Sequence, residues 1–105
     1  MPVRDFKTDM LAELADPGAA ALFLTATFED ALTDNDFRAF MLALSDVIDA
    51  RGSVQEIAAE ASISRQHLHT LLCAKNANPT LATLSSVLKA VGLTLDFRPA
   101  QSQGS

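Results

Sequence analysis

The side chains best supplied with hydrogen-bonding chemistry cluster late in the chain, at Arg65, Gln66, His67, His69 and Thr70. An arginine fork bridges O6 and N7 of guanine, and a carboxamide bridges N6 and N7 of adenine, so Arg65 followed by Gln66 suits base edges. Thr70 comes one helical turn after Gln66 and offers a methyl group to thymine. His67 and His69 join them as base contacts, against the plainer reading that both are simply exposed. Around this set stand residues of the kinds that hold phosphate oxygens: Ser53, Gln55, Ser64, Lys75, Asn76 and Thr80. Catalysis is harder to assemble. The chain has no tyrosine, no tryptophan, no glycine-rich phosphate loop and no Ser-His-Asp set at a recognisable elbow. His67 and His69 lie about 200° apart around a helix and cannot act on one substrate. Two histidines and one cysteine make no metal site. No enzyme, no catalytic residue, no metal and no cofactor is expected.

Base contacts need a helix held rigidly against a groove, and residues 53–73 read as two short helices joined by a tight turn. Ser53 caps the first, from Val54 to Ala61, whose thin apolar face is Ile57, Ala58 and Ala61. Small alanines let two steeply crossing helices approach closely. The turn Ser62-Ile63-Ser64 tucks Ile63 inward, and Ser64 caps the second helix. There Leu68, Leu71 and Leu72 face the core at i, i+3, i+4, leaving Arg65, Gln66, His67, His69 and Thr70 on the other faces. This is the pattern of a helix-turn-helix whose second helix enters a major groove. Cys73 reads as a small hydrophobe at its end.

Ile57-Ala58, the turn Ser62-Ile63-Ser64-Arg65, Leu68, then Asn78-Pro79-Thr80-Leu81-Ala82-Thr83-Leu84 and Leu88-Lys89-Ala90-Val91-Gly92-Leu93 resemble the Cro/CI-type (XRE) helix-turn-helix family. They resemble most its antitoxin branch, the small HigA-like addiction-module antidotes. The likeness spans about residues 16–98. Two positions depart from the family pattern. Val54-Gln55 stands where a glutamine commonly opens the first motif helix, and Ser62 stands where the turn usually has glycine. Ser62 is therefore asked to adopt a conformation that glycine reaches more cheaply.

The rest of the chain supplies the scaffold. Residues 1–15 read as an arm and a short helix, capped by Thr8 and running through Met10, Leu11 and Leu14. Residues 16–98 read as one helical domain, and 99–105 as a disordered polar tail. Asp16-Pro17 opens a helix to about Leu32, with Ala21, Leu24, Phe28, Ala31 and Leu32 on one face. Leu22, Phe23 and Thr25 widen its apolar arc, so it either sits between layers or waits for a partner. After the turn at 33–36, Phe37, Phe40, Met41, Leu44, Val47 and Ile48 give the cleanest helical period in the chain, closed by Gly52. A last helix starts at Thr80, turns Leu81, Leu84, Val87, Leu88 and Val91 inward and stops at Gly92. Leu93 to Phe97 alternates apolar and polar residues and reads as a short strand. The fold class is all-α: five to six helices of Cro/CI type with a short C-terminal strand.

Charge is unevenly spread. Residues 1–51 carry ten carboxylates against four basic side chains, and residues 52–105 carry three against four. The half with the groove-reading pattern is thus near neutral, so non-specific attraction to DNA is weak and specific contacts must carry more. The acidic half suits a basic protein partner or is a solvated face. A single cysteine points to a reducing compartment. No apolar run approaches the ~18 residues of a membrane span, and no export signal is expected in the charged N-terminal stretch.

The resemblance implies an antitoxin of the bacterial cytoplasm that binds a palindromic double-stranded operator as a homodimer, represses its own operon and neutralises a small basic RelE/HigB-like toxin. The acidic charge and apolar arc put the toxin surface at Leu22, Phe23, Phe28 and Glu29. Leu93, Leu95 and Phe97, all facing the last helix, are the expected dimer contacts. Their strand pairs across a twofold axis, or it joins the toxin's sheet and leaves dimerisation to the helices. The alternative function is a Cro/CI-type regulator with no toxin. A third is a protein-interaction domain that lost DNA binding.

Overall fold

The computed structural model describes residues 6–75 and 78–100. Six helices follow in order: α1 (Phe6–Leu14), α2 (Pro17–Asp34), α3 (Arg38–Arg51), α4 (Val54–Ala61), α5 (Arg65–Cys73) and α6 (Leu81–Ala90). Four of them begin at a side-chain cap. Asp16 Oδ2 accepts from the Ala19 amide at 2.9 Å, Ser53 Oγ from Glu56 at 3.1 Å, Ser64 Oγ from His67 at 2.9 Å and Thr80 Oγ1 from Thr83 at 3.1 Å. Each satisfies an amide left unpaired at a helix start, worth about 1 kcal/mol. α1 starts at Phe6, so Thr8 lies inside its first turn rather than capping it.

The ends are as specific as the starts. Asn35 closes α2 in the left-handed region at φ 55°, a conformation asparagine tolerates. α6 ends at Gly92 (φ 87°), where the Leu93 amide reaches back to the Leu88 carbonyl at 2.8 Å. Arg51, at the end of α3, donates from Nε to the Val91 carbonyl at 3.0 Å and so ties the two helix ends together.

α3 is the hub. It packs against α1, α2, α4 and α5, while α6 packs against α4. Its Leu44 and Ile48 are fully buried, together with Leu68 of α5 and Val87 of α6. Each such side chain contributes about 1.5–3 kcal/mol relative to an exposed one. Phe28 of α2 closes the layer, its ring centroid 5.1 Å from Phe40 and 6.0 Å from Phe37. Among the described residues no buried side chain is polar.

Three expectations fail in detail. Leu93 to Phe97 forms no strand among the described residues. A strand needs a second backbone to bond, and here the Phe97 amide turns to the Asp96 carboxylate at 2.8 Å instead. Of its three apolar residues only Leu93 packs on the core, while Leu95 and Phe97 are exposed. Leu81, expected inward, and Leu32, on the apolar face of α2, are also exposed. Leu32 faces an open groove, and Leu81 is the first residue of α6, ahead of the turns at Leu84 and Val87 that carry the burial.

Candidate nucleic-acid interface

The unit α4–turn–α5 is built by local rules and then fixed by the core. Ser62 lies at φ 61°, the left-handed conformation expected of it, and its amide bonds to the carbonyls of Ala58 and Ala59. The Ile63 amide returns to the Ala58 carbonyl at 3.0 Å, and Ile63 packs against the core. The chain thus reverses sharply and delivers α5 across α4. Ala58 and Ala61 are buried at this junction, and the small side chains permit the approach. Leu68 and Leu72 anchor the inner face of α5.

Everything polar on α5 then faces solvent. Arg65, Gln66, His67, His69 and Thr70 are all exposed. Gln66 Nε2 donates to Thr70 Oγ1 at 3.2 Å, so these two are aligned as one polar ridge rather than two free rotors. Arg65 and Gln66 occupy the first turn, the part of a groove-bound helix that reaches bases. His69 Nε2 stands 3.7 Å from Cys73 Sγ, and Cys73 is exposed at the end of α5. It follows Leu72 at the helix end, one position past the last buried turn.

The phosphate-type residues divide. Gln55 and Lys75 are exposed and carry free ends. Ser53 and Ser64 spend an oxygen lone pair on capping and keep an O–H to donate. Thr80 is less available, because its hydroxyl accepts from the Thr83 amide and donates to Thr83 Oγ1 at 3.0 Å. Asn76 lies outside the described residues.

The four residues assigned to a protein partner do not form one patch. Leu22 is exposed on the outer face of α2, and Phe23 packs half-buried against the core. Phe28 lines the groove between α2 and α6 instead, beside Leu93, Leu95 and Phe97, and Glu29, exposed seven residues after Leu22, stands on the rim between that groove and the outer face. Leu32, Leu84 and Leu88, read from the sequence only as apolar scaffold, line the same groove. Their leucines sit at ordinary core spacing, which gives no sign that a face is left uncovered.

No curated protein and no solved structure matches the chain. A family model does, from the start of α1 to one residue short of the last one described. Residues 6–99 match the family described as probable addiction module antidote protein, and the chain belongs to that family, with the role of an antitoxin.

Proposed function

We propose that this antitoxin is a DNA-binding autorepressor of the HigA-like, XRE type, acting as a homodimer on a palindromic operator and neutralising a small RelE/HigB-like toxin in the bacterial cytoplasm. The observation that carries the DNA-binding half is the exposed first turn of α5, Arg65-Gln66, held over the fully buried Leu68 by the left-handed Ser62 turn. Bases are read by Arg65, Gln66 and Thr70, with His67 and His69 at the flanks. Backbone phosphates are held by Gln55 and Lys75 and by the O–H groups of Ser53 and Ser64. The protein acts by binding alone. Membership of an antidote family favours this reading over a regulator without a toxin. Among the described residues no helix is long and apolar enough to cross a membrane.

The toxin surface is the outer face of α2, where Leu22, Ala26, Asp30 and Thr33 run exposed at helical spacing. The acidic charge steers a basic toxin, and Leu22 is the apolar anchor. Removing the N-terminal half is no test of this, because Ala20, Leu24 and Ala31 of α2 belong to the core. A double substitution, Leu22→Glu with Asp30→Lys, leaves that core intact. It should abolish toxin neutralisation while operator binding, followed by gel-shift titration on DNA flanking the gene, is retained. Full neutralisation by the double variant would reject the α2 surface. Failure of the native protein to select any flanking DNA over random duplex would reject the repressor.

A further inference from the structure

Between α2 and α6 lies a groove of about 850 Å³ with an apolar floor of Leu24, Phe28, Phe40, Leu84 and Leu88. The segment that leaves Gly92 forms one wall. On that wall Leu95 is 44% exposed and Phe97 98% exposed. An aromatic ring held in water beside an open apolar groove is an unpartnered pair of surfaces. Every copy of the chain therefore carries both an apolar arm and a receptacle for one, the condition for a self-complementary twofold contact.

We propose that this groove receives residues 93–98 of a second copy, laid antiparallel beside the resident segment, with Phe97 of the second copy as the anchor on Phe28 and Leu32. The inference rests on the homodimer of the reading above and names its interface. Charge favours it. Glu29 stands on the α2 rim of the groove and Arg98 on the arm, and neither makes an ion pair among the described residues. In the twofold arrangement each Glu29 meets the Arg98 of the other copy. Area favours it as well. A phenylalanine buries about 150–250 Å². Two arms, each adding a leucine and covering matching groove surface, therefore reach the order of 1,000 Å² that a specific interface needs. The side-by-side segments also supply the backbone partner that the alternating sequence calls for and that the described residues of one chain do not provide.

The test is sedimentation equilibrium of the full-length protein over a micromolar concentration series, with thermal melting as a check on folding. Phe97→Asp should weaken dimerisation roughly tenfold or more and leave the melt of the monomer unchanged, since Phe97 buries almost nothing within its own chain. Glu29→Arg should weaken it too, and adding Arg98→Glu should restore it. A dimer unaltered by Phe97→Asp overturns the groove while leaving the homodimer standing. A native protein that is monomeric throughout the series overturns both. Retained dimerisation with lost toxin binding in Phe97→Asp gives the groove to the toxin, and a double reversal without recovery overturns the Glu29–Arg98 register.

Discussion

Replacing Gly92 by alanine tests whether the end of α6 is held by backbone conformation, by Arg51 or by both. Gly92 sits at φ 87°, where an L-residue pays about 1 kcal/mol. A Cβ there would also lie 2.5 Å from Nη2 of Arg51, too close for both to stay. The guanidinium is the free end of a long side chain and can swing away cheaply on steric grounds alone. It is tethered, however, through Nε to the Val91 carbonyl at 3.0 Å, so moving it forfeits that bond. A partly exposed bond of this kind contributes about 1 kcal/mol. Gly92→Ala should therefore cost about 2 kcal/mol in urea unfolding, lowering Tm by roughly 8–16 °C for a domain of this size. With Arg51→Ala already present the tether is gone, and the same substitution should cost only its conformational share, about 1 kcal/mol. Equal costs in the two backgrounds would refute the argument, because they would mean that the Arg51 tether does not respond to a Cβ at 92. Gly92 also sets the direction in which residues 93–100 leave the helix, so dimerisation should weaken along with stability in Gly92→Ala.

Leu68→Ala, at a position fully buried beneath the motif, should cost about 2–5 kcal/mol in denaturant unfolding and reduce DNA binding only through unfolding. Arg65→Ala should cost roughly 1–3 kcal/mol of operator affinity at one base position, whereas Lys75→Ala should weaken all sequences alike and flatten the salt slope by about one; both read out by gel shift. Asp46 has its pKa raised above 3.8, chiefly by burial, with Lys7 lowering it and Asp49 raising it. The folded state therefore holds this proton more tightly than the unfolded chain does. The associated stability is fully present below 3.8 and is lost as pH rises through the raised value. Asp46→Asn should accordingly be more stable than the native protein at neutral pH, with the advantage vanishing in acid; pH-resolved melting that showed no such crossover would contradict it.

Much of this molecule is written in residues that act within one turn of themselves. Asp16, Ser53, Ser64 and Thr80 each cap the amide three positions on, so four helix starts were legible from residue type alone. The period of Phe40, Met41, Leu44, Val47 and Ile48 required no partner to be recognised, and all five are buried. The left-handed turn at Ser62 is implied by the resemblance, which has glycine at that place, and it carries α5 across α4 with Arg65 and Gln66 exposed. Tertiary structure decided what an apolar residue meets. Leu24 and Leu32 both line the groove beside α2, yet Leu24 is buried at its floor and Leu32 is left exposed, because α6 packs on α4 rather than closing over α2. Spacing reports which face of a helix is apolar but not whether a neighbour arrives to cover it. The same limit governs Leu93 to Phe97, which alternates apolar and polar residues yet forms no strand among the described residues. A strand exists only where a second backbone supplies its hydrogen bonds, and the described residues of the single chain bring none.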